Sequence, residues 1–417
     1  MPDIADTTPS LSPSPPDDGS DSRIDVHHHF CAPQWLEWAE GQGLANRKAL
    51  PPWARWDAAA ALALMDRAGI ATAVLKPMLP ARYATSAQLR EATAVTLRAA
   101  AEVAEAHPGR FAFHAPLFLD DPEVARWALR RGLDELGAVG VNVTANYGGV
   151  YLGDPSYDPL FAELNERSAV VDTHPHNLPG VGAGPGPGLG GGMGPDAGGG
   201  PGAGRGPGAN AGAGHGPGPD TGHGAGHGPG ANSGPGAGHG PGGGHGPGAG
   251  RGPGAGGGPG AVAVPGIPHF LCDFLLDTTR AALNMIHKGT LDRFPNLSVI
   301  LPHAGGFLPH IATRVQAFAG ALTPPVDPAM VRDHLLRFYY DTAGPMSPAG
   351  TLLAMASPDR ILFGSDWPAC PSEMVTDVAL PALAGDSALS AVQLRGINRD
   401  NALRLMPSLA PLSPARV

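Results

Sequence analysis

Cysteine is scarce: Cys31, Cys272 and Cys370 are the only three in 417 residues. An odd number without pair spacing argues against a disulfide framework. No apolar run approaches the roughly 20 residues needed to cross a bilayer. The first residues have neither the basic start nor the apolar centre of a signal peptide. Instead Asp3, Asp6, Asp17, Asp18 and Asp21 precede the first base, Arg23. Basic residues are outnumbered 27 to 37, and the formal net charge of −10 argues against a nucleic-acid partner. These absences are those expected of a cytoplasmic protein that engages neither membrane nor nucleic acid.

Glycine and proline, by contrast, are abundant, with 62 and 47 copies. The excess is concentrated from Leu178 to about Pro265, in repeats such as Gly-Ala-Gly-His-Gly-Pro-Gly around His239. Glycine falls mostly at every second position rather than every third, which excludes a collagen triple helix. The prolines argue against a silk-like sheet. A segment of this composition buries too little apolar surface to offset its ordering entropy, so disorder is expected. The chain therefore divides into a disordered tail at 1–22, a folded domain at 23–177 and 266–410, and a low-complexity insert at 178–265. His215, His223, His227, His239 and His245 in the insert could hold Ni²⁺ or Zn²⁺ loosely, but an inert expansion is the favoured reading.

Outside the insert, short β-branched runs alternate with Ala/Leu-rich helical stretches. Strands are expected at Arg23–His27, Thr72–Met78, Phe111–Leu117, Ala138–Thr144, Ala169–Thr173, Leu297–Leu301, Phe338–Asp341 and Ile361–Gly364. Helices fall between them, among them one at Ser86–His107 with Ser86 as its N-cap. Strands separated by helices imply parallel pairing through right-handed crossovers. About eight such units give the fold class: α/β, a (β/α)8 TIM barrel interrupted by the Gly/Pro/His-rich insert. The competitor, an open doubly wound sheet, usually has fewer strands and often a Gly-rich phosphate loop after the first. Here the first strand runs into Asp25-Val26-His27-His28-His29-Phe30 instead.

Side chains alternate along a strand, so His27 and His29 share one face and His28 takes the other. Two imidazoles on one face make a pair of ligands for a borderline metal. Other strands also end in a ligand or an acid: His174, His303 and Asp366, with Lys76, His114, Asn142, Asn146 and Asp341 at the remaining ends. Taken singly, His174 reads as a core histidine and Asp366 as a turn cap. Taken together, His27, His29, His174 and Asp366 supply three neutral nitrogens and one carboxylate, a natural zinc set. His303, before two glycines, is then left as an acid or base, since imidazole titrates near neutral pH.

The motifs Asp-Val-His-His-His, Thr173-His174-Pro175, Leu301-Pro302-His303-Ala304-Gly305-Gly306 and Gly364-Ser365-Asp366-Trp367-Pro368 resemble those of the amidohydrolase-related family. Within it, the branch resembled is that of aminocarboxymuconate-semialdehyde and 6-methylsalicylate decarboxylases, over about residues 23–177 and 266–406. The resemblance implies that His27, His29, His174 and Asp366 hold one divalent metal, zinc with manganese as the alternative. It also implies that His303 is the catalytic histidine, and the proton is expected from His303 or, alternatively, from Asp366 in the metal shell. Arg280 and Trp367 are candidates for the substrate-binding positions, with Lys76 a weaker one. Binuclear members of the superfamily carry a bridging lysine at the end of the fourth strand, and Val139–Thr144 has none, which argues for one metal. The function expected is decarboxylation of an aromatic or unsaturated carboxylic acid, with metal-dependent hydrolysis of an ester, lactone or amide as the alternative. The partner is a small-molecule acid, and the family often forms homodimers.

Overall fold

The computed structural model describes residues 18–48, 50–51, 54–77, 79, 83–176, 268–344 and 349–410. The expected disordered insert, and the tail up to residue 17, lie outside the described residues. Residues 18–22, expected as tail, instead form a turn whose Asp18 carbonyl accepts from Asn398 Nδ2 at 2.8 Å.

Eight parallel strands form one sheet in sequence order: β1 (Arg23–Phe30), β2 (Ile70–Pro77), β3 (Phe111–Pro116), β4 (Gly140–Thr144), β5 (Val170–His174), β6 (Ser298–Leu301), β7 (Tyr339–Asp341) and β8 (Ile361–Leu362). β1 also meets the chain after β8, since Val26 N donates to Phe363 O (2.9 Å) and Asp366 N to His27 O (2.9 Å). The sheet thus curls into a nearly closed barrel, as expected. All eight strands foreseen are present, with ends shifted by up to three residues. A small antiparallel hairpin, Asn146–Tyr147 with Val150–Tyr151, follows β4.

Helices surround the sheet: α1 (Pro33–Gly41), α2 (Ala58–Arg67), α3 (Ser86–Ala106), α4 (Pro122–Leu129), α5 (Asp158–Glu166), α6 (Asp273–His287), α7 (Thr290–Arg293), α8 (Leu308–Ala317) and α9 (Pro328–Arg337). Several starts are set by side-chain caps that satisfy orphan amides. Asp57 accepts from Ala60 N at 2.9 Å and Asp121 from Val124 N at 3.1 Å. The cap of α3 is Thr85, accepting from Gln88 N at 3.1 Å, rather than Ser86. Ser86 is the first helical residue, so its hydroxyl is not placed to cap.

Parallel strands covered by helices are buried on both faces, and every residue of β1 is buried. Leu64, Leu75, Leu97, Val141 and Phe161 belong to the layer between strands and helices. Ile24, Val26, Val74, Val170, Ile300 and Leu362 form a second cluster, joined by Met406 and Leu409 of the C-terminal segment. One irregularity matters for function. In the pairing of β1 with β2, Asp25 faces Ala73 but His28 faces Leu75, so three steps on β1 match two on β2. This bulge lets Val26 pack with Val74 while His27 and His29 both reach the mouth of the barrel. Simple alternation did not anticipate it; bulges often re-aim side chains beside active sites.

Candidate metal centre

β1, β5 and the chain segments following β6 and β8 bring His27, His29, His174, His303 and Asp366 together. Ligand atoms of His27, His174, His303 and Asp366 lie within 4.8 Å of one another, all buried. His29 joins them, its Nε2 3.3 Å from His27 Nε2 and 2.8 Å from Asp366 Oδ1. His303 Nε2 stands 3.7 Å from Asp366 Oδ2. The five residues expected at the site are therefore in one place.

The backbone is forced in the turns that follow β6 and β8. His303, Ala304 and Asp366 have φ of 53°, 55° and 61°, a region that side-chain-bearing residues seldom occupy. Such strain persists only where surrounding contacts over-determine it. At His303 one such contact is its N–H donating to Asp341 Oδ1 at 2.8 Å. At Gly364 a side chain is excluded, because a Cβ there would lie 2.8 Å from the Cβ of His27.

Orientation and protonation suit a cation. Nδ1 of His27 lies 2.7 Å from Asp341 Oδ2, which assigns the proton to Nδ1 and leaves Nε2 facing the cluster. His174 Nδ1 donates to Pro175 O at 2.8 Å, with the same consequence. Burial pushes His29 down to about 4 and holds His174 well below the ordinary imidazole value. Burial alone would raise Asp366, but hydrogen bonds from His29 and His303 hold it well below the usual carboxylate range. Burial likewise opposes ionisation of Asp341, yet the adjacent His27 brings it down to about 2. Imidazoles held below their ordinary value at His29 and His174, beside an ionised carboxylate, are what a divalent metal requires. The donor set therefore fits one such ion.

Beneath the cluster lies a second polar layer. Lys76 is fully buried, its Nζ 3.0 Å from Asp172 Oδ1, 3.2 Å from His27 Nδ1 and 3.3 Å from Thr173 O. His114 Nδ1 lies 3.2 Å from the other oxygen of Asp172. Burying these charges is tolerable only because they are paired. On the outer side of β1, His28 Nδ1 lies 3.1 Å from Asp25 Oδ2, and Ser365 Oγ donates to the same oxygen at 2.6 Å. Asp25 thus fastens β1 to the turn that carries Asp366.

Arg280 and Trp367, expected as substrate contacts, do not line the cavity that reaches His174. Arg280 is exposed on α6 and lines a surface groove with Tyr151, Leu283 and Phe318 that contains none of the cluster residues. Trp367 follows Asp366, but its ring packs on His28 (centroids 4.9 Å apart) and its Nε1 donates to Ser372 Oγ. It supports the outside of β1. The cavity that reaches His174 is instead walled by Leu79, Leu117, Phe118 and Tyr147, with Asn142 and Thr144 as polar members. Lys76, a weaker candidate for substrate binding, is instead buried against Asp172, and Asp341 was foreseen only as a strand end, because the partners of both lie on other strands. A second group, Asp292, Asp333 and His334, could also approach a metal, but Arg337 already pairs with both carboxylates.

An eight-stranded barrel with a buried imidazole and carboxylate cluster at the C-terminal ends of its strands defines the class of barrel enzymes. The chain belongs to the amidohydrolase family, whose model matches residues 24–407. It is 25% identical over 410 residues to decarboxylase yanB of Aspergillus niger, covering 95% of this chain and 90% of that one. It is 26% identical over 405 residues to the 6-methylsalicylic acid decarboxylase acuB of Aspergillus aculeatus, covering 93% and 96%. Among solved structures, it is similar to a dihydroxybenzoic acid decarboxylase from Polaromonas with bound manganese and the inhibitor 2-nitroresorcinol. That match has a TM-score of 0.63 and 20% identity, over 94% of this chain and 99% of that one. A 2,6-dihydroxybenzoate decarboxylase complexed with 2,6-dihydroxybenzoate gives a TM-score of 0.61 and 19% identity, over 93% and 98%. These two likenesses establish the fold. The expectation of an amidohydrolase-family enzyme with decarboxylase relatives is borne out. Among the described residues, no helix is long and apolar enough to cross a membrane.

Proposed function

We propose that the chain is a metal-dependent decarboxylase of an aromatic carboxylic acid bearing a neighbouring hydroxyl. The observation that carries this reading is His303, whose Nε2 stands beside Asp366 at the edge of the cluster. Relatives matched over nearly their full length are decarboxylases. His27, His29, His174 and Asp366 would hold the ion, zinc or manganese, both compatible with nitrogen and oxygen donors. When bound, the metal supplies Lewis acidity and a template for the substrate carboxylate and its neighbouring oxygen.

The chain's own residues do the rest. Asp341 keeps His27 in the Nδ1–H form, and Lys76 balances the buried carboxylates below. The apolar wall of Leu79, Leu117 and Phe118 would exclude water from the ring of the substrate. His303 would deliver a proton from Nε2 to the ring carbon as the carbon–carboxyl bond breaks. The electron pair stays on that carbon, CO₂ leaves, and His303 regains its proton from water. A homodimer, the cytoplasm as compartment, and the division into a barrel at 23–177 and 266–410 with an insert at 178–265 belong to the same proposal. CO₂ release from hydroxylated benzoic acids, beginning with 6-methylsalicylate and 2,6-dihydroxybenzoate, tests it. Metal-dependent release from one such acid supports it, whereas acid release from lactones or esters with no CO₂ would favour the hydrolase reading.

A further inference from the structure

We propose that Asp277 is a positioning residue for His174, acting through the peptide unit that joins Pro175 to His176. This rests on the reading of His174 as a metal ligand. β5 ends at His174, and the described chain stops at residue 176 and resumes at 268, just before α6. Asp277 sits on α6 and is fully buried. Its Oδ2 accepts from the His176 backbone N–H at 2.8 Å, and its two oxygens accept from Asn146 Nδ2 at 2.9 and 3.1 Å. One carboxylate thus ties together the segment leaving β5, the hairpin after β4 and the helix that follows residues 177–267.

The other end of that peptide unit explains why this matters for the site. The Pro175 carbonyl and the His176 N–H belong to one rigid plane and point in opposite directions. The carbonyl accepts from His174 Nδ1 at 2.8 Å. Asp277 therefore grips one side of the plane while the His174 ring hangs from the other. A carboxylate on the N–H polarises the peptide and strengthens its oxygen as an acceptor. That fixes both the direction of the ring and the tautomer that leaves Nε2 unprotonated. The arrangement is kept at a cost, since burial pushes the Asp277 carboxyl up to about 6. The contacts it makes in return hold the backbone that aims His174.

The test compares wild type, D277A and D277N as full chains, measuring Mn²⁺ and Zn²⁺ affinity by competition with a chelator and the melting of the metal-free proteins. Changing a group that orients a metal-bound histidine typically weakens metal affinity by about 10- to 100-fold. D277A should fall in that range. D277N, which keeps a carbonyl to accept the His176 N–H, should bind a few-fold more weakly than wild type. At saturating metal, most of the lost kcat should return. If both variants hold metal within twofold of wild type while only melting falls, Asp277 is merely structural and the proposal is overturned. Should D277A fail to fold, D277N alone decides, with parity to wild type overturning the proposal. A wild-type chain that binds no metal stoichiometrically would instead overturn the metal-site reading itself.

Discussion

The carboxylate of Asp341 lies 2.7 Å from Nδ1 of His27, and both side chains are fully buried. The same carboxylate accepts the backbone N–H of His303 at 2.8 Å. One side chain at the end of β7 therefore fixes the tautomer of a proposed ligand and the strained turn of the proposed acid.

Replacing Asp341 with Asn keeps the shape but removes the charge that holds the proton on Nδ1 of His27. Metal affinity should fall by about 10- to 100-fold, as for other partners of metal-bound histidines. Chelator competition on the purified variant measures this. Unchanged affinity would show that Asp341 does not orient His27.

Gly364→Ala places a methyl group 2.8 Å from the Cβ of His27 and 3.2 Å from that of Ala343. Neither neighbour is the flexible end of a side chain. The variant should lose about 1–3 kcal/mol of stability, the usual cost of overpacking. Urea denaturation reads the stability, and wild-type behaviour would mean that β1 yields.

The metal-free protein should become less stable as pH falls from about 6.5 towards 4. Folded His29 and His174 have lowered pKa values, to about 4 for His29, so the unfolded chain takes up their protons first. Stability then rises with pH across that window, by about 1.4 kcal/mol per pH unit for each uncompensated proton. Asp277 works the other way between the ordinary carboxylate value and about 6, because its folded form holds the proton more tightly. It offsets one of the two histidines. The lowered Asp341 contributes stability that is present above the ordinary carboxylate value and lost only as pH falls towards about 2. Denaturation of metal-free protein at pH 7, 6 and 5 provides the check, and a gain in stability on acidification would contradict the assignment.

The barrel was legible because its evidence is periodic and local. Eight β-branched runs separated by Ala/Leu-rich stretches report parallel strands directly. The gathering of His27, His29, His174, His303 and Asp366 in one place was legible because each lies at or just past the end of such a run. The bulge after Asp25 was not, since it depends on the register against β2. Nor were the roles of Asp341, Asp172 and Lys76. Each pairs with residues of other strands 30 to 314 positions away, for example His27 with Asp341. Trp367 shows the converse. The family resemblance made it a candidate for an aromatic substrate contact, but in three dimensions the ring turns to His28.

Removal of Gly180–Gly260 should leave metal stoichiometry and turnover unchanged. The residues on either side of the segment are held by described contacts, through the His176 N–H and Asp277. Shortening a connection of this length to about ten residues lowers its closure cost by about 2 kcal/mol. The melting temperature should therefore hold or rise. A loss of metal or of turnover would give the insert a function.

Metal content and CO₂ release, measured together on wild type and His303→Ala, bear on the proposed chemistry most directly. The wild type should hold one metal ion per chain and release CO₂ from a hydroxylated benzoic acid in a metal-dependent way. The variant should keep its metal while its rate drops by about 10²-fold or more, the usual worth of a positioned acid. A variant that retains both metal and turnover would contradict His303 as the proton donor, and a wild type that holds metal but releases no CO₂ from such acids would contradict the reading of this site as a decarboxylase centre.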